Sequence, residues 1–247
     1  MAYEFNGIEY PSVTTITGIL DKPALVQWAA NCAVDYVAGN LDRLKSENVH
    51  EGEAVLSEAR SAHKTVKDEA AGNGTMVHRV IELYINHEPY EYLLATAEAK
   101  TAFSAFLSWE DKNHVLWEKT ECEVLSKKHG YAGRFDAIAT INGHRYLVDF
   151  KTSKGIWDEM KYQLCAYRQA YNEMLEEGQE PIDNIAILHL DKETGEPTFK
   201  PIEKDIDRMT ELFNSLCAVY YLMANRRLKN NPFVARCKGE KNTELPF

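Results

Sequence analysis

Asp136 and Asp149 flank the dipeptide Asn142-Gly143, the strongest short-range signal for a two-residue hairpin turn. With that turn, Ile141 faces His144, Ala139 faces Tyr146, and Asp136 falls directly opposite Asp149. Directly paired residues on antiparallel strands have Cβ atoms about 4.5–5.5 Å apart, and like charges there repel. A divalent cation between the two carboxylates removes the repulsion and accounts for the pairing. Alternation along the strand sends Lys151 to the same face as Asp149, with Val148 and Phe150 on the other. An ammonium beside such a pocket can stabilise an attacking hydroxide or the charge that grows on a phosphate. The competing reading is a solvated hairpin whose charges face water. The apolar neighbours Ile138, Leu147, Val148 and Phe150 favour a central strand.

Two helices can bring further groups to this pair. His78 and Glu82 are four residues apart and share a helix face. A neutral imidazole can join carboxylates in holding Mg²⁺ or Mn²⁺, although a lone helical histidine is more often a surface or core residue. Gln163 and Tyr167 are also four apart, and an ordinary amphipathic helix would put Tyr167 in the core.

The secondary structure around these residues follows from periodicity. Asn6-Gly7 marks a short N-terminal hairpin. Helical patterns are expected over about 12–20, 23–45 and 53–70. Gly72-Asn73-Gly74 reads as a break, after which Thr75 can cap a helix running to about 86. Another helix is expected over about 96–113. The period then changes to two, predicting strands over about 115–126, 133–141 and 144–151. A helix over about 157–177 comes next, then the continuously apolar run 185–190, the pattern of a strand buried on both faces. A last helix is expected over about 205–228. The order predicts an α/β (α+β) fold: a mixed sheet with an antiparallel front flanked by helices, plus an N-terminal helical elaboration. With no repeat or Pro/Ser-rich linker, one domain is expected over 1–247, divided as 1–71, 72–190 and 191–247.

These pieces together resemble the PD-(D/E)XK nuclease superfamily, specifically its RecB-type branch, which includes phage exonucleases, CRISPR adaptation nucleases and the mitochondrial genome maintenance exonuclease. The matching residues are Gly74-Thr75-Met76-Val77-His78-Arg79-Val80-Ile81-Glu82, Gly133-Arg134-Phe135-Asp136, Asp149-Phe150-Lys151-Thr152-Ser153 and Gln163-Leu164-Cys165-Ala166-Tyr167. Tyr10-Pro11-Ser12-Val13-Thr14-Thr15-Ile16 also looks like the opening of stand-alone phage or bacterial relatives. Each motif alone is weak; four in the same order over residues 72–190 are specific.

The resemblance implies a restriction-endonuclease-like core. It implies that His78, Asp136 and Asp149 ligate Mg²⁺, with Mn²⁺ as a substitute and the backbone carbonyl of Phe150 assisting. It makes Lys151 the catalytic lysine and adds Glu82 to the catalytic set. Gln163, Tyr167, Thr152, Ser153 and Arg134 would then contact DNA. Relatives with an iron–sulfur cluster hold it with a tight C-terminal cysteine group. Here Cys32, Cys122, Cys165, Cys217 and Cys237 are scattered, so no cluster is expected. No Gly-x-x-x-x-Gly-Lys-Ser/Thr loop is present, so any motor would be a separate chain.

The function expected is a metal-dependent deoxyribonuclease, an exonuclease in recombination, repair or replication. The alternatives are an endonuclease or junction resolvase on the same core, a non-catalytic DNA-end-binding scaffold, and a hydrolase of small phosphoesters. A single-strand-binding recombination protein is a partner by analogy only. Met1-Ala2-Tyr3-Glu4-Phe5 shows no secretory pattern and no apolar run suits a membrane span, so a cytoplasmic protein is expected. The 247 residues carry a net charge of −10, which argues against a protein that coats nucleic acid through a basic surface. The charge is unevenly spread. Residues 122–154 hold six Lys/Arg against three acids, and 221–241 hold six against Glu240 alone. A basic lip near the site is therefore expected from the hairpin and from Arg226, Arg227 and Lys229.

Overall fold

Both Asn-Gly dipeptides make tight turns, with φ of 51° and 76° at Asn6-Gly7 and of 49° and 82° at Asn142-Gly143. Positive φ at both central residues gives the turn twist that matches paired strands. The computed structural model describes residues 2–223 and Phe233. Arg226, Arg227, Lys229 and Cys237, and with them the C-terminal half of the expected basic lip, lie outside the described residues.

Contacts divide the chain into two compact units, residues 20–76 and residues 1–19 with 77–247. In the larger unit, β1 (Ala2–Phe5) and β2 (Ile8–Pro11) form the first hairpin. Ser12 then caps α1 (Val13–Thr17) by accepting the Thr15 N–H at 3.0 Å. The smaller unit holds α2 (Pro23–Gly39), α3 (Leu41–Leu44) and the first part of α4 (Val49–Ile85). Pro23 opens α2, where its missing N–H costs nothing. Within this unit Glu58 accepts from Tyr36 Oη at 2.7 Å and from Arg43 at 3.1 Å.

The expected break at Gly72-Asn73-Gly74 does not occur, because α4 runs unbroken through it. Thr75 does not cap; its Oγ1 donates back to the Ala71 carbonyl at 3.0 Å as a mid-helix hydroxyl does. Each glycine costs only about 1 kcal/mol in a helix, less than the long flanking turns supply.

The larger unit continues with the end of α4, α5 (Ala97–Lys112), β3 (Val115–Ser126), β4 (Tyr131–Ile141), β5 (His144–Lys151), α6 (Asp158–Glu173), β6 (Asn184–Leu190), β7 (Pro197–Ile202) and α7 (Ile206–Met223). The sheet order is β3-β4-β5-β6-β7, antiparallel except for the parallel β5–β6 pair, which α6 connects. The sheet is covered on both faces. Leu147, Ile185 and Ile187 join Leu164, Tyr167 and Ala170 of α6 and Phe213 of α7 in one buried cluster. On the other face Phe150 meets Phe106 of α5 and Trp117 of β3, with ring centroids 5.9 Å from each. Burial on both sides explains the unbroken apolar run of β6. β7 has no counterpart among the expected strands. It begins at Pro197 and contains Pro201, which an edge strand tolerates because one side needs no donors. Among the described residues no helix is long and apolar enough to cross a membrane.

Candidate active site

The Asn142-Gly143 turn carries its register from Ile141 opposite His144 to Ala137 opposite Val148, one step short of Asp136 and Asp149. At that next step the strands are joined through a side chain, since Asp136 Oδ2 accepts the Phe150 N–H at 2.5 Å. Asp136 Oδ1 lies 2.9 Å from His78 Nδ1, near the end of α4. Asp149 is buried, and its Oδ2 pairs with the Lys151 ammonium from the same strand face. That oxygen is fully enclosed and lacks a well-aligned hydrogen bond despite the ion pair. His78, Asp136, the Phe150 amide, Asp149 and Lys151 therefore form one corner of the larger unit.

Electrostatics separate the two aspartates. Desolvation works against the charged form of Asp136, but His78, Lys151 and the Phe150 amide outweigh it and hold the carboxyl below its usual range. Desolvation dominates at Asp149 and, with the Asp136 charge, drives it up to about 6 against the pull of Lys151. Burial opposes charge on Lys151 and His78 too, yet Asp149 holds the lysine up and Asp136 holds the histidine up.

The remaining expected residues are placed differently. Glu82 is tied to Arg79 at 2.5 Å rather than to the aspartates. Gln163 Nε2 donates to Thr17 Oγ1 of α1 at 3.2 Å. Tyr167 is a core side chain, 5% exposed, packed over Gly133 and near enough to Asp149 and Asp136 for their charges, after burial, to raise its hydroxyl further. Thr152 and Ser153 line a surface cavity of about 180 Å³ with Lys154, Asp191, Lys192 and Glu193. Arg134 is 53% exposed and pairs with Glu121 at 2.7 Å.

Two residues near the site had no motif to announce them. His189 of β6 lies beside Lys151 in the parallel register and donates from Nε2 to the Ser153 carbonyl at 2.5 Å, pinning the loop after the lysine. Glu121 of β3 falls near Asp136; only the β3–β4 register, set by a bulge between Trp117 and Lys119, aligns them.

Among the described residues no three His, Cys, Asp or Glu side chains form a ready metal cage. The donor chemistry nevertheless fits a hard divalent cation: adjacent carboxylates, one of them buried with an oxygen that lacks an aligned donor. The chain belongs to the PD-(D/E)XK nuclease superfamily, whose family model matches residues 26–239. The five-stranded mixed sheet flanked by helices is accordingly a restriction-endonuclease-like fold, and the chain is a nuclease of a superfamily that uses divalent metals. No curated protein matches the chain.

Proposed function

We propose that this protein is a Mg²⁺-dependent exodeoxyribonuclease of the RecB type that hydrolyses DNA phosphodiesters during recombination, repair or replication. The observation that carries this reading is the joining of Asp136, Asp149, Lys151 and His78 in one corner around the buried Asp149. Asp136, Asp149 and His78, with the Phe150 carbonyl, would hold the cation. When bound there, it supplies an activated water at neutral pH and offsets charge on the phosphate. Lys151 holds the charge that develops on the phosphoryl oxygens, and Asp149 fixes the ammonium where that charge appears. His78 orients Asp136 through a hydrogen bond to one oxygen, while the Phe150 amide holds the other. Tyr167 lies on the α6 side of this corner, and Gln163, Thr152, Ser153 and Arg134 would meet the DNA backbone. Residues 72–190 would be the catalytic core of a single nuclease domain. A single-strand-binding recombination protein is the partner that suits such an activity, and the cytoplasm its compartment.

Digestion of end-labelled single- and double-stranded DNA with Mg²⁺, Mn²⁺ or EDTA tests the reading. Cleavage from one end that EDTA stops is the expected result. Closed circular DNA should survive, and its cutting would turn the reading to an endonuclease on the same core. No cleavage with either metal would leave a binding scaffold.

A further inference from the structure

Glu121 takes no part in the scheme above, yet it is built into the same corner of the sheet. The β3–β4 ladder sets Thr120 against Ala137 and Cys122 against Phe135, so Glu121 falls opposite Asp136. Its backbone is left-handed, with φ of 48°, inside an otherwise extended strand. A residue with a long side chain rarely adopts that conformation, and it persists only where the surroundings over-determine it. The side chain is 23% exposed, and burial with the Asp136 charge pushes its carboxyl above the usual range. An acid in such a position needs a cation, and Arg134 supplies it, with Nε 2.7 Å from Glu121 Oε2.

The choice of partner is informative. Glu123 stands directly opposite Arg134 in the ladder and is more exposed, yet the guanidinium turns to Glu121, towards Asp136. The ion pair engages Nε. The side chain is half exposed. A guanidinium held at Nε presents its outer edge as a planar fork, the geometry that meets two phosphate oxygens together. Anchoring also removes much of the rotamer freedom that a loose arginine would lose on binding.

We propose that Glu121 is a positioning residue: it anchors Arg134 so that the outer edge of the guanidinium clamps a DNA backbone phosphate beside Asp136 and Asp149. This inference rests on the nuclease reading and adds to it a named phosphate clamp and the acid that sets it.

The test exploits a difference of sign. A carboxylate that only contributes negative charge repels DNA, so its removal tightens binding. An anchoring carboxylate has the opposite effect, and its removal weakens binding although the net charge becomes less negative. Binding of end-labelled DNA is measured in EDTA, which blocks cleavage, for the wild type, Glu121→Ala, Glu121→Gln, Arg134→Ala and the Glu121→Ala/Arg134→Ala pair. Glu121→Ala and Arg134→Ala should each weaken binding about five- to tenfold, with Arg134→Ala lowering the slope of log K against log salt by about one. The double variant should bind no worse than Arg134→Ala. Glu121→Gln, which keeps an acceptor for Nε, should lie between wild type and Glu121→Ala, and it carries the test if the alanine variant unfolds. In cleavage assays KM should rise more than kcat falls. Glu121 variants that bind as tightly as wild type or tighter, or losses that add in the double variant, overturn the inference alone. A wild type that neither binds nor cuts DNA overturns the nuclease reading and this inference together.

Discussion

At the scale of single residues, the proposed chemistry rests on the Asp149–Lys151 ion pair. In the proposed mechanism neither partner is replaceable by packing, because that mechanism needs a carboxylate donor and a fixed ammonium. Asp149→Ala and Lys151→Ala should each lower cleavage by about 10²–10³-fold or more, with far-ultraviolet circular dichroism unchanged. Either variant cutting at the wild-type rate removes that residue from the reaction. Gly133 makes a different demand. A Cβ there would sit 2.5 Å from Tyr167 Cε1 and 3.1 Å from Val13 Cγ2, neither of which can give way without moving α6 or α1. Gly133→Ala should therefore destabilise the fold by about 1–3 kcal/mol, read as a lower urea midpoint. The glycine of the Gly133-Arg134-Phe135-Asp136 motif is thus a packing requirement of α6 on β4. The motif could be recognised in the sequence, but the ring that forbids a Cβ could not.

At the scale of elements, α4 departs most from local expectation. Gly72-Asn73-Gly74 looks like a stop, but helix ends are decided by the whole stretch, and the turns on both sides are helical. A Cβ on Gly72 meets nothing within 4 Å, so Gly72→Ala should raise stability by about 0.5–1 kcal/mol. A loss of helical signal in that variant would mean the chain turns there after all. The strands behaved more simply. β3 and β5 match the expected strand segments end for end, the start of β5 being marked by the Asn142-Gly143 turn. β7 left no such trace, since an edge strand with prolines lacks the run of β-branched residues that marks a central one.

At the scale of the molecule, several protons are buried with the fold. Tyr84 is pushed up to about 12, first by its hydrogen bond to Glu110 and then by burial. Burial alone raises Cys217 to about 12 and leads the rise of Cys165 to about 11. In the unfolded chain these groups ionise about 2–3 units lower. Their contribution to stability is therefore complete below about pH 9 and drains away as pH rises through 10 to 12. Alkaline titration should show tyrosinate absorbance rising together with loss of circular dichroism, and Tyr84→Phe should move the transition to higher pH. Tyrosinate appearing fully before unfolding would contradict this.

Legible in the sequence are the turn at Asn142-Gly143, the ladder from Ile141–His144 to Ala137–Val148, most of the sheet-forming segments and the motifs that resemble the superfamily. These are local matters: φ preference, side-chain alternation and spacing along one strand or one helix turn. Packing, and not local sequence, brings His78 to Asp136, holds Gln163 on Thr17, lets His189 pin the loop after Lys151, and turns Arg134 to Glu121 rather than Glu123. The first three pairs bridge long stretches of chain, and all four exist because particular faces pack together. Such contacts depend on burial, on a bulge in β3 and on one left-handed backbone position, none of which has a local signature.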